Sequence, residues 1–257
     1  MIDSHCHLTS KELLPQIGPV LVRAEAAGVK GFVTIATDLA DAATALALAE
    51  TDTRVHVVCG IHPHQAGEAG ADWDRRLADL VEREEIHAVG EMGLDYHYDF
   101  ADRQVQRRVF ERQIELAGTA KKPIVIHCRE AHADVMAILA HCGRARDVVF
   151  HCFTGTLREA EEILDRGYWI SLTGVVTFKR SDELRQVAKL IPEERLMIET
   201  DSPYLSPEPV RSVRPNEPSH LPYTAACIAK TRGLTVEALT KITTANTRRF
   251  FDLPERF

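Results

Sequence analysis

A chain of 257 residues is long enough to bury a sizeable core and matches the ~250 residues of a single barrel domain. Its 45% hydrophobic and 27% charged residues are those of an ordinary globular protein, and a formal net charge of −7 excludes a broad electrostatic attraction for nucleic acid. No apolar run approaches the ~20 residues that span a bilayer, and the opening MIDSHCHL has no secretion-signal pattern, so a cytoplasmic protein without membrane contact is expected.

The first expected element is a strand at 2–7. A helix at 14–28 follows, with Leu14, Ile17, Leu21 and Ala24 at helical spacing and Gly28 as its stop. Strands are expected at 31–37, 55–61 and 88–92. Residues 102–119 are strongly charged, with Val105, Val109, Phe110, Ile114 and Leu116 spaced for one apolar stripe, which predicts a helix. Strands at 123–128 and 148–152 come next. Thr156 and Glu159 then form a capping-box pattern for a helix at 156–166, ended by Gly167. Strands at 169–173 and 196–200 complete a set of eight, and helices are expected at 222–232 and 235–250. Several strands are almost continuously apolar, as when both faces are covered. Alternating β and α elements imply a parallel sheet, and eight such units favour an α/β (β/α)8 TIM barrel forming one hydrolase domain over 1–257. Ser202–Pro222 holds six prolines and reads as a long stiff loop over the active face.

The six cysteines show neither C-x-x-C nor zinc-finger spacing, which fits a reducing compartment. Cys6, Cys128 and Cys152 each follow a candidate ligand histidine. Strand alternation would turn them toward the helices as small core residues.

Ionisable side chains cluster at the C-terminal ends of the apolar strands: His5 and His7, Glu91, His127, His151, and Glu199 with Asp201. Burying them uncompensated would be costly, and a barrel carries its chemistry at that rim. Imidazole and carboxylate donors suit divalent cations, and two such ions per chain are expected, from among Mg, Mn, Zn or similar metals. His5, His7 and Asp201 form one candidate ligand set and His127 with His151 a second, with Glu91 able to bridge. Asp201 is the candidate general base for a metal-activated water, and Asp201 and Glu91 are the candidate catalytic residues. His62 and His64, in Gly60-Ile-His-Pro-His, are candidate phosphate contacts as cationic or neutral donors, and Arg129 is a candidate substrate-binding residue for phosphate, against the plainer readings of two loop histidines and a surface ion pair. Glu199 is a possible second-layer partner or extra ligand. Asp95, Tyr96, His97 and Tyr98 read as a polar aromatic loop, and Lys121-Lys122, Lys179-Arg180 and Arg248-Arg249 as solvated charges. The chain has no G-x-S-x-G, P-loop, H-E-x-x-H or G-x-G-x-x-G motif.

Asp3-Ser-His-Cys-His, Gly60-Ile-His-Pro-His, Gly90-Glu-Met-Gly-Leu-Asp-Tyr, Ile126-His-Cys-Arg, His151-Cys-Phe-Thr-Gly, Glu199-Thr-Asp-Ser-Pro-Tyr-Leu, Asn216-Glu-Pro and Asn246-Thr-Arg-Arg-Phe-Phe occur in that order across nearly the whole chain. With them the chain resembles the TatD family of metal-dependent deoxyribonucleases, within the amidohydrolase-like barrels. The resemblance implies metal binding by His5, His7, Glu91, His127, His151 and Asp201, and a phosphate role near His62. It further implies hydrolysis of DNA phosphodiester bonds, often exonucleolytic, on single-stranded or frayed ends. The chain departs from the family pattern at Val210-Arg-Ser-Val-Arg-Pro, where a glycine-containing basic run is usual. A barrel hydrolase of a small amide, lactone or ester is the rival reading, and a non-catalytic scaffold would have lost ligands that are all present here.

Overall fold

The computed structural model describes residues 1–142 and 147–255. Among them, eight strands and nine α-helices alternate. They are β1 (Ile2–Cys6), α1 (Ile17–Ala26), β2 (Gly31–Ala36), α2 (Leu39–Thr51), β3 (Val55–Cys59), α3 (Trp73–Val81), β4 (Ile86–Asp95), α4 (Arg103–Ala120), β5 (Ile124–Arg129) and α5 (His132–Cys142). The chain continues with β6 (Val148–Phe150), α6 (Leu157–Asp165), β7 (Trp169–Leu172), α7 (Asp182–Leu190), β8 (Leu196–Ile198), α8 (Leu221–Arg232) and α9 (Val236–Phe251). The strands follow one another in sequence order in one sheet, with parallel pairing, which is the topology of the expected (β/α)8 barrel.

Two compact units divide the chain, Met1–Thr34 with Cys152–Phe257, and Ile35–His151. The first joins the beginning of the sequence to its end. Asp3 is fully buried and accepts from Thr200 N–H at 2.9 Å and Thr200 Oγ1 at 2.5 Å, while Ser4 Oγ donates to Ile198 O at 2.9 Å. His7 N–H donates to Ser202 O at 2.7 Å and Asp201 N–H to His5 O at 3.0 Å. These bonds satisfy backbone groups past the ends of β1 and β8 that would otherwise be buried without partners. The capping box at Thr156 and Glu159 forms as the spacing predicts.

The second unit packs β3 to β6 with α2 to α5. Its β4 extends to Asp95, beyond the expected 88–92, and pairs with β5 through Met92 opposite Ile126, Gly93 opposite His127 and Asp95 opposite Arg129. Gly93 has φ +139°, and a Cβ there would lie 2.0 Å from His127 O, so only glycine permits this approach of the two backbones. On α4 the buried face carries two glutamines besides the apolar stripe. Gln113 accepts from Ile61 N–H at 2.7 Å and donates to Ile61 O at 3.0 Å; Gln106 accepts from Asp95 N–H at 2.9 Å and donates to Asp95 O at 3.1 Å.

Several expectations are corrected. β6 and β8 stop at Phe150 and Ile198, so His151, Glu199 and Asp201 stand just past strands, and alternation does not govern their directions. Asp201 has φ +54° and Cys152 φ +44°, both in the left-handed region. All six cysteines are free; Cys6 is buried as expected, but Cys128 and Cys152 are only partly so. Two basic pairs are not simply solvated. Lys122 Nζ donates to Arg83 O at 2.6 Å and also to Ile86 O, and Arg249 places its guanidinium 4.8 Å from the Trp169 ring centre.

Candidate active site

In the first unit, β1 presents His5, the residue after it leads to His7, and the turn after β8 brings Asp201 to both. His7 Nε2 lies 3.4 Å and His5 Nε2 3.8 Å from Asp201 Oδ1. Three ligand atoms ~2.1 Å from one tetrahedral ion lie ~3.4 Å apart, so imidazole, imidazole and carboxylate stand here at a spacing that fits a divalent cation. The ligand atoms of the three residues all lie within 4.8 Å of one another. Glu199 is buried; it accepts from Cys152 N–H at 2.6 Å, from Ser4 Oγ at 3.4 Å and from Ser171 Oγ. These contacts fix the segments they come from.

In the second unit, one oxygen of the buried Glu91 gathers three histidines. His151 Nε2 lies 2.6 Å, His127 Nδ1 2.7 Å and His62 Nε2 3.3 Å from Oε1. Burial by itself raises the Glu91 pKa, but the three imidazoles hold it well below the ordinary carboxylate value. Glu91, His127 and His151 form a second three-donor group of metal-binding chemistry, and His62, His64 and His127 a third.

His127 is held from both ends, by Glu91 at Nδ1 and by Asp95 Oδ2 at Nε2, 2.9 Å away. Burial opposes its charged form, yet the hydrogen bonds to Asp95 and Glu91 raise its pKa above the usual value. Asp95 itself is fully buried. Burial would raise its pKa, but hydrogen bonds from His127, His64 and the Tyr98 backbone keep it far below normal. His62 accepts from His64 N–H at 3.0 Å through Nδ1, which leaves its Nε2 proton facing Glu91. Its pKa is lowered to about 4, first by burial, so the ring is neutral at pH 7 and its one N–H is engaged by Glu91. Of the cationic or neutral phosphate donor expected there, the structure favours the neutral form, which can reach a phosphate only by giving up its bond to Glu91. Arg129 is exposed at the end of β5, its guanidinium 4.8 Å from the Tyr98 ring centre.

Sequence reasoning gave Asp3 no role of its own and placed Asp95 only in a polar aromatic loop after β4. Asp95 had a legible signal: it stands four residues after Glu91 and so shares its strand face once β4 is drawn to full length. Among the described residues, no helix is long and apolar enough to cross a membrane.

An eight-stranded barrel topology with paired groups of imidazole and carboxylate donors defines the class of metal-dependent barrel hydrolases. The chain belongs to the family of TatD-related DNases, whose model matches residues 2–252. It is 37% identical over 252 residues to the metal-dependent hydrolase YabD of Bacillus subtilis, covering 98% of each chain. It is also 37% identical over 258 residues to the 3′-5′ ssDNA/RNA exonuclease TatD of Citrobacter rodentium, again covering 98% of each. Among solved structures, the TatD homologue YjjV of Escherichia coli K12 superposes with a TM-score of 0.93 at 29% identity, covering 99% of this chain and 98% of that one. A dihydroorotase of Campylobacter jejuni, at 15% identity and a TM-score of 0.63 over 100% of this chain and 84% of its own, shares the fold alone.

Proposed function

We propose that this chain is a divalent-metal-dependent deoxyribonuclease that removes nucleotides from single-stranded or frayed DNA ends. The observation that carries this reading is the pair of three-donor groups, His5, His7 and Asp201 in one unit and Glu91, His127 and His151 in the other, in a chain of the TatD-related family. The exonuclease name of the Citrobacter relative supports the substrate. The six free cysteines support a cytoplasmic setting. A single hydrolase domain over 1–257 is part of the same reading.

Each group would hold one divalent cation, and its mixed nitrogen and oxygen donors suit Mn or Zn and admit Mg. Bound cations supply Lewis acidity at phosphate oxygens and lower the pKa of water. The chain's own residues do the rest. Asp201 accepts the proton of the attacking water, and in-line attack at phosphorus releases the sugar oxygen of the neighbouring nucleotide, which takes up a proton. Glu91 is held ionised by His62, His127 and His151, so it stays a ligand at neutral pH. Arg129 steadies the substrate phosphate, joined by His62 once its single N–H is released from Glu91 to the substrate. The rival, hydrolysis of a small amide, lactone or ester, has only fold-level support.

The test is cleavage of a labelled single-stranded oligomer in EDTA, Mg²⁺, Mn²⁺ and Zn²⁺, with Asp201→Ala and Glu91→Ala alongside. Metal-dependent loss of terminal nucleotides is expected, reduced ~10²–10⁴-fold in each variant. Wild-type turnover by either folded, metal-loaded variant would overturn these roles.

A further inference from the structure

Large aromatic rings left in water need a reason. Phe100 is 65% exposed and Tyr98 40%, and their ring centres lie 5.2 Å apart at an interplanar angle of 31°. The His64 ring meets Phe100 edge-on at 4.7 Å, and the Arg129 guanidinium lies 4.8 Å from the centre of Tyr98. The loop that carries the rings is tied down. Asp95 Oδ1 accepts from both His97 N–H and Tyr98 N–H at 3.0 Å, Tyr96 donates to Asp134 at 2.6 Å, and Arg103 lies 4.3 Å over the Tyr96 ring. The other Asp95 oxygen takes His64 and His127, so one carboxylate holds both the aromatic loop and a member of the Glu91 group.

We infer that Phe100 and Tyr98 form a stacking platform for the bases of single-stranded nucleic acid, with Arg129 beside them for a backbone phosphate. This rests on the nuclease reading above. Flat rings accept any base by stacking, and an adjacent guanidinium pairs with phosphate, so the combination fits a sequence-tolerant reader of single strands. Two rings are far less than the ~800 Å² per partner that a stable protein interface needs. In a chain of net charge −7, affinity for a polyanion has to come from short-range contacts such as these. The platform also sets the substrate: an unpaired base can reach a neighbouring ring, whereas a base stacked inside a duplex cannot.

The experiment compares wild type, Phe100→Ala and Phe100→Trp on a single-stranded oligomer and on one of the same length with abasic terminal positions. Phe100→Ala is expected to raise KM about tenfold with kcat nearly kept, since one base–aromatic stack is worth roughly a factor of ten. Phe100→Trp should restore KM, and the abasic oligomer should not respond to either change. In EDTA, an oligomer carrying 2-aminopurine at its end should be quenched by wild type and by Phe100→Trp but not by Phe100→Ala. Unchanged KM and quenching in Phe100→Ala, or an equal loss on the abasic oligomer, would overturn the platform. So would a shift in sedimentation with KM unaltered, which would make the patch a contact between copies of the chain. Failure of wild type to cleave any oligomer in any metal would sink the nuclease reading instead, while the quenching experiment still decides whether the rings take a base.

Discussion

Asp95 illustrates how much one buried side chain can organise. Each of its oxygens has two partners: His64 and His127 on Oδ2, and the His97 and Tyr98 amides on Oδ1. Replacing it with asparagine keeps the size but removes the charge that orients two imidazoles. Partners of this kind typically contribute ~10–100-fold to metal affinity. Asp95→Asn is therefore expected to weaken cation binding at the Glu91, His127 and His151 group by that factor, read by competition with a chelating dye. His5, His7 and Asp201 should keep their affinity. Loss of nothing, or of both groups equally, would argue against the assignment. The role of Asp95 escaped the sequence reading because the fourth strand was expected to stop at 92, which left this aspartate in a loop with no strand face to share with Glu91.

At the scale of elements, α4 shows why an apolar stripe is an incomplete description of a helix. Gln106 and Gln113 sit on the stripe's side of the helix, fully or nearly buried, and hand their amides to the backbone of Asp95 and Ile61. Both backbone segments lie where the chain leaves a strand and its ladder partners end. Gln106→Leu would leave the Asp95 N–H buried without that acceptor, at a cost of about 1–3 kcal/mol in urea unfolding. Because Asp95 also holds His127, the same variant should lose cation affinity in the second unit. A neutral result in both measurements would mean that the hydrogen bonds are incidental to α4 packing. The glycine opposite His127 acts at the same scale: a side chain at Gly93 would drive β4 away from β5 and carry Glu91 with it.

At the scale of the whole molecule, the first unit closes the sequence on itself. Arg23 of α1 forks onto Glu217, with Nη2 to Oε2 at 2.6 Å and Nε to Oε1 at 2.8 Å, across nearly the whole chain. Burial raises the Glu217 pKa, but the bonds from Arg23 and Ser219 outweigh it and hold the carboxyl below its ordinary value. A carboxyl with a lowered native pKa stabilises the fold above its unfolded pKa, and that contribution disappears as pH falls through the native value. Arg23 is half exposed, so the pair contributes no more than about 1–2 kcal/mol. Glu217→Gln should thus lower Tm at pH 7 by about 2–6 °C. The difference from wild type should shrink as the pH drops below about 4, where both carry a neutral side chain at this position. A difference that persists at low pH would assign the effect to packing instead.

What the sequence by itself determined was whatever repeats locally or stands at an element's end. The eight strands, the alternation that implies a barrel, the capping box at Thr156 and the six candidate ligands are all consequences of period and position, and family membership follows from their order. The division into His5, His7 and Asp201 and into His127 and His151 was already an expectation from position; only the tertiary structure gives the distances within each group and sets Glu91 beside His127 and His151, because these contacts join segments far apart in sequence. It also decided the direction of Glu199, which alternation could not give once β8 ended at Ile198. The same holds for the neutral state of His62, since a histidine's charge depends on its burial and on the carboxylate it meets, and neither is written in its neighbours along the chain.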